Sequence, residues 1–109
     1  VLFRSYANNI YYKTTYKSLE IIVAYSKIGK VFSTISACVM IEKFGCEKIL
    51  FSGVAGGINK DLKIGDLIIA DKLCQYDLDI TAFGHPHGFV PGGSVFVSTD
   101  TKLNDIAKQ

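Results

Sequence analysis

Cysteine is scarce in this chain of 109 residues: Cys38, Cys46 and Cys74 are an odd number, with no Cys-x-x-Cys spacing among them. That composition disfavours a disulfide framework and a zinc site of the usual spacing, and a reducing cytoplasm is the expected compartment. Long apolar runs are missing too. None approaches the ~20 residues that a membrane-spanning helix needs, so no membrane association is expected. The opening residues do not read as a signal peptide. Charge of one sign is also lacking: the net charge is +2, and the twelve Lys and Arg residues are scattered singly. A nucleic-acid partner would normally show as clustered basic residues, so none is expected. What remains is 49% hydrophobic and 20% charged, the balance of a soluble globular domain, and the length allows one domain at most.

Both ends read as interrupted. Val1-Leu2-Phe3-Arg4-Ser5 lacks an initiator Met and is also the translation of a run common in sequencing-library adapters. These five residues are expected to be a read-through artefact outside the fold. Lys108-Gln109 falls inside a helical pattern, so the chain reads as an internal piece of a longer protein.

Asn9 to Tyr16 is rich in Tyr, Thr and Ile, which suits a strand, and Leu19 to Tyr25 follows as a second. With Lys17-Ser18 as a turn, the two predict an antiparallel hairpin. Val31 to Phe44 predicts a helix that is apolar nearly all round, which implies burial on more than one side, with Gly45 as its C-cap. Glu47 to Phe51 predicts a strand covered on both faces, so strand, helix and strand would form a right-handed βαβ unit. Leu67 to Tyr76 reads as a further strand, and Thr81 to Gly93 as a loop holding both prolines. Thr99 to Lys108 begins a helix, with Ser98 or Thr99 as its cap.

The most informative stretch is Phe51-Ser52-Gly53-Val54-Ala55-Gly56-Gly57, a strand end running into a loop almost without side chains. Ligands in α/β domains sit at the carboxyl ends of strands, and glycine lets a ligand approach the main chain closely. A nucleoside-sized ligand follows from that reading. The competing reading is a tight turn that uses glycine for its φ angle alone. A P-loop is disfavoured because the Lys-Ser/Thr ending is missing, and no GxGxxG opens a helix.

Gly65-Asp66 before an apolar strand reads as turn chemistry. Asp77, Asp79, His85 and His87 could hold a metal, but the two imidazoles flank a proline and no further ligand follows in metal-site spacing, so loop polars are the preferred account. Phe83 in a glycine-rich loop is either a local core plug or a projection into a neighbouring subunit. Ser52, Ser26 and Ser33 lack the Gly-x-Ser-x-Gly setting of a nucleophile, and mid-helix Cys38 reads as core packing.

Taken in order, Ser26-Lys27-Ile28-Gly29-Lys30-Val31, Ser52-Gly53-Val54-Ala55-Gly56-Gly57, Gly65-Asp66-Leu67 and Asp77-Leu78-Asp79-Ile80-Thr81-Ala82-Phe83-Gly84 resemble the nucleoside phosphorylase superfamily. Within it they are most similar to the bacterial 5′-methylthioadenosine/S-adenosylhomocysteine nucleosidases. The His85 to Pro91 segment is similar to the Helicobacter and Campylobacter branch that also acts on 6-amino-6-deoxyfutalosine. The resemblance implies a three-layer α/β/α fold with a central mixed sheet, incomplete here, residues 1–109 forming a partial domain. It implies a homodimer, no metal and no organic cofactor, and hydrolysis of an N-glycosidic bond that frees adenine from a 5′-substituted ribose.

Residue by residue, Val54, Ala55 and Gly56 match the small-residue wall beside ribose and base. Val54 stands where the family often has a hydroxyl residue. Ile28 matches a residue lining the 5′-alkylthio pocket. Phe83, Ile80 and Pro91 match residues contributed across the dimer interface, which favours the intersubunit role for Phe83. No catalytic residue is expected among these 109: the carboxylate that activates water precedes Asn9, and the Glu and Asp of the family's chemistry follow Gln109. The piece alone is expected to be inactive and unstable, since open sheet edges and an incomplete core follow from missing strands. Two alternatives are a phosphate-dependent phosphorylase and a non-catalytic nucleoside-binding protein on the same scaffold.

Overall fold

The computed structural model describes residues 1–109 and divides into two compact units, Val1–Ala55 and Gly56–Gln109.

The first unit is a three-stranded antiparallel sheet and one helix. Strands β1 (Leu2–Tyr6), β2 (Asn9–Tyr16) and β3 (Leu19–Ala24) pair in the order β1-β2-β3. Two-residue connections join them. Ala7 and Asn8 have φ of 48° and 56°, and Lys17 and Ser18 have 47° and 65°. Positive φ at both central residues marks the primed turns whose twist matches the flanking strands. The expected hairpin over Asn9–Tyr16 and the following strand therefore forms, with Tyr16 opposite Leu19 and Tyr11 opposite Ala24.

Of the five residues expected to stand outside the fold, Leu2–Ser5 pair in the sheet. Leu2 pairs with Lys13, Phe3 with Tyr12 and Arg4 with Tyr11. The physical reason is that ladder bonds use backbone groups alone, so a strand-compatible segment preceding a tight turn extends a sheet whatever its side chains.

Alternation sets the two faces of this sheet. Tyr6 and Tyr11 share the face that meets helix α1 (Lys30–Phe44), where the Phe44 ring lies 5.7 Å from Tyr6 and 5.5 Å from Tyr11. Tyr11 is wholly buried there. The opposite face carries the cross-strand row Phe3, Tyr12 and Val23, all exposed. Asn9 fastens the sheet to its surroundings: its side-chain amide donates to the Tyr25 carbonyl at 2.7 Å and to the Ser36 hydroxyl at 3.3 Å.

Helix α1 runs between Gly29 and Gly45 with no Gly or Pro inside it. Gly45 takes the left-handed conformation at φ 66°, and its N–H donates to the Ile41 carbonyl, the expected C-cap. The expected burial on several sides does not occur. Ser36 is the buried residue of the helix, while Val31, Phe32, Ile35 and Ile41 are exposed. Cys38 is exposed as well, which corrects its reading as a core residue. One sheet face covers one helical stripe, and nothing in these residues covers the remainder.

The βαβ unit does not close. Residues 47–51 form no ladder, and all strand pairing is antiparallel. A continuous apolar strand such as Ile49-Leu50-Phe51 depends on neighbours on both edges and layers on both faces, and these residues find none here.

The second unit is mostly turns. The strand predicted over Leu67 to Tyr76 contracts to β4 (Lys72–Leu73), paired with β5 (Val97–Ser98). Helix α2 (Thr101–Ala107) is capped by Asp100, whose carboxylate accepts the Leu103 N–H at 3.0 Å. The expected caps Ser98 and Thr99 do not serve. Thr99 instead donates its hydroxyl to the Ala70 carbonyl at 2.7 Å and accepts from the Asn104 amide at 2.8 Å. Asp66 behaves as turn chemistry predicts, its carboxylate accepting the Lys63 N–H at 2.8 Å beside Gly65 at φ 98°. No helix is long and apolar enough to cross a membrane.

Candidate functional site

The glycine loop separates its two readings by backbone geometry. Gly53, Gly56 and Gly57 all lie outside the left-handed region. Glycine is therefore not needed at these positions for φ, and the tight-turn explanation fails. Space tells them apart. A Cβ added to Gly53 would lie 3.2 Å from the Phe51 ring, so that glycine makes room for its own neighbour. A Cβ on Gly57 would make ordinary contact with Leu62. A Cβ on Gly56 would meet nothing within 4 Å. Gly56 is thus required neither by conformation nor by packing within the chain, and it leaves bare main chain facing open space. Val54 beside it is fully exposed, and Ala55 is exposed.

Ile28 belongs to the loop between β3 and α1 and is 84% exposed. Its neighbour Gly29 precedes the helix at φ 97°. Val54, Ala55 and Ile28 lie in the first unit, whereas Gly56, Ile80, Phe83 and Pro91 lie in the second.

The 76–93 segment has more internal order than its loop-like sequence suggests. Asp79 accepts both the N–H and the hydroxyl of Thr81, at 3.0 and 2.7 Å. These bonds, with the His87 imidazole nearby, hold its carboxyl below the ordinary range. They also start a 3₁₀ turn over Thr81–Phe83, which ends at Gly84 in the left-handed conformation. Within these residues Phe83, at the end of this turn, is 81% exposed. Ile80 is half-buried and Pro91 is exposed.

The metal reading finds no support in the geometry. His87 Nε2 lies 2.5 Å from the Tyr76 carbonyl, and its Nδ1 is 3.8 Å from the Asp79 carboxylate. The His85 ring stacks on Phe89 with centroids 4.7 Å apart. No three of His, Cys, Asp and Glu converge. The sequence reading missed this closure of the loop on itself. The Asp-x-Thr spacing at 79–81 was the available signal, since a short acidic side chain two residues before a hydroxyl is a turn starter.

Two open concavities contain no predicted site residue. One of about 430 Å³ is lined by Ser5, Asn8, Asn9, Ile10, Tyr12 and Tyr25. The other, of about 260 Å³, is lined by Leu73, Cys74, Gln75, Val90, Val95 and Val97. Ile28, Val54, Ala55, Gly56, Phe83 and Pro91 are exposed, and Ile80 is half-buried.

The sequence matches the phosphorylase superfamily over residues 2–109. The chain belongs to that superfamily. Among its members it is 65% identical over 102 residues to the aminodeoxyfutalosine nucleosidase of Campylobacter jejuni, covering 94% of this chain and 44% of that protein. It is 41% identical over 98 residues to the 5′-methylthioadenosine/S-adenosylhomocysteine nucleosidase of Buchnera aphidicola, covering 90% and 42%. The crystal structure of Campylobacter jejuni 5′-methylthioadenosine/S-adenosyl homocysteine nucleosidase superposes with a TM-score of 0.95 at 62% identity, over 98% of this chain and 47% of that one. A Helicobacter pylori enzyme solved with 5′-methylthioadenosine in its active site matches at 50% identity, TM-score 0.95, over 98% and 46%. The fold is therefore that of the nucleoside phosphorylases, represented here by a mixed α/β part. The chain spans about half the length of the phosphorylase-superfamily relatives it matches.

Proposed function

We propose that these residues belong to a nucleosidase that hydrolyses the N-glycosidic bond of 5′-substituted adenosines. The substrate class is 5′-methylthioadenosine, S-adenosylhomocysteine and 6-amino-6-deoxyfutalosine, and the products are adenine and the 5′-substituted ribose. Water adds to the anomeric carbon as the bond to adenine breaks, and adenine leaves protonated. The transition state has oxocarbenium character, so its charge needs a shaped, water-poor surface beside it.

In this reading Val54, Ala55 and Gly56 form the wall under ribose and base, and Ile28 lines the space for the 5′ substituent. Phe83, Ile80 and Pro91 close that space in the partner of a homodimer. The acid and the water-activating carboxylate come from outside these 109 residues, and no metal or organic cofactor takes part. The enzyme works in the cytoplasm. One observation carries the assignment: Gly56 has open space where its side chain would be and no conformational need to be glycine. The outward Phe83, held by the Asp79 turn, fits a lid awaiting a second subunit.

Adenine release from 5′-methylthioadenosine by the full-length polypeptide containing these residues tests the reading. Turnover is expected without phosphate, and none from residues 1–109 alone. A requirement for phosphate would move the reaction to phosphorolysis. Tight nucleoside binding without turnover would leave a binding protein.

A further inference from the structure

The loop that carries Ile28 holds a residue in a conformation that its side chain disfavours. Lys27 has φ 60°, the left-handed region, where any Cβ crowds the backbone. Such a residue persists only when its surroundings over-determine it. Three contacts do so. The Lys27 ammonium donates to the Asn8 carbonyl at 2.6 Å. It also lies 5.2 Å from the centroid of the Phe32 ring, on the first turn of α1. The Ser26 hydroxyl donates to the Lys27 carbonyl at 3.3 Å. Asn8 is itself at φ 56° in the β1–β2 turn, so one left-handed residue receives the other's side chain. Asn9, next along, donates to the Tyr25 carbonyl at 2.7 Å. Asn8 of the β1–β2 turn and Asn9 at the start of β2 therefore tie the β3–α1 loop at two points, on either side of Ser26.

The consequence falls on Ile28. It sits between Lys27 and Gly29, both at positive φ, and its side chain makes so little contact that it is 84% exposed. Nothing that Ile28 touches holds it. Its direction is set by the backbone, and that backbone is held through Lys27. We propose that Lys27 is a positioning residue: clamped by Asn8 and Phe32, it fixes the loop so that Ile28 presents its side chain to the 5′ substituent of the substrate. This rests on the functional reading above.

The test is the selectivity of the full-length polypeptide for 5′-methylthioadenosine over adenosine, taken as a ratio of kcat/KM. Lys27→Met removes the ammonium and keeps the stem. Lys27→Gly removes the clamp but adopts φ 60° without strain, so it decides the matter if the Met variant fails to fold. Both are expected to lower the ratio about fivefold, mainly through KM for methylthioadenosine, as loss of part of one apolar contact does. Lys27→Arg restores a cationic donor and is expected to keep roughly half or more of the ratio. Ile28→Ala lowers it about tenfold, and adding Lys27→Gly to it has little further effect, because the two act through one contact. A ratio unchanged in both clamp variants, or equal losses on both substrates, overturns the role of Lys27. A wild-type polypeptide that releases adenine from neither substrate overturns the functional reading instead.

Discussion

In Val1–Ala55 three strands exchange backbone bonds along their whole length, whereas in Gly56–Gln109 the ladder is two residues a side and the rest is turns. The first unit has a wholly buried side chain, Tyr11, with a helix over it. The second keeps its shape through short side-chain bonds to backbone: Asp79 to Thr81, Asp66 to Lys63, Asp100 to Leu103, Thr99 to Ala70. The difference is one of sequence distance. Hairpins joined by two residues carry their partners with them, while the apolar runs at 49–51 and 67–70 need partners from further along a sheet. Turns need only their own few residues.

The largest effect is expected at Gly56, the first residue of the second unit. In the full-length polypeptide Gly56→Val should cut kcat/KM for 5′-methylthioadenosine by about 100-fold, equal to ~2.7 kcal/mol of lost transition-state stabilisation. Within these residues a Cβ at this position meets nothing within 4 Å. Activity kept within about threefold would remove the ligand wall from this loop.

A smaller effect separates the regions by stability. Asn9→Ala breaks the bonds to the Tyr25 carbonyl and the Ser36 hydroxyl, and leaves Ser36, which is 5% exposed, without that donor. The expected cost is about 1–3 kcal/mol in urea unfolding of the full-length polypeptide. No loss would mean that the ladder alone holds the first unit.

The smallest effect is confined to the second unit. Asp79 is depressed below its ordinary value of 3.8, first by the Thr81 N–H, then by its hydroxyl. A depressed carboxyl stabilises the folded loop at pH above the unfolded value, and that contribution disappears as pH falls through the folded value. Protection of the Thr81 and Phe83 amides, taken as exchange relative to the intrinsic rate at each pH, should therefore fall below about pH 4 while the β2–β3 amides keep theirs. Asp79→Asn should quicken exchange at Thr81 at neutral pH as well. An Asp79 titration midpoint at or above 3.8 by NMR would show that the turn bonds are too weak to hold the carboxylate.

Parts of the candidate site were legible before any coordinates. The bare run at Gly53–Gly57 was visible, but not which glycine mattered. Gly53 and Gly57 face Phe51 and Leu62 of the chain itself, and the open space at Gly56 is a property of the folded loop. Phe83 offered two fates in the sequence, and its exposure after the Asp79 turn is a property of the folded loop. Lys27 gave no signal, since a lysine in a glycine-flanked loop reads as solvated charge, and its anchor lies nineteen residues away at Asn8.

Local rules settled the hairpin, the helix with its Gly45 cap and the Gly65-Asp66 turn, because a turn or a cap is closed by residues within a few positions of one another. Kinship was likewise written in the order of four short motifs. Pairing of Leu2–Tyr6, the fate of residues 47–51 and the exposure of Cys38 were decided by tertiary structure alone. Strands and apolar helix faces are completed by distant neighbours, and a residue's own preference cannot say whether a neighbour will be there.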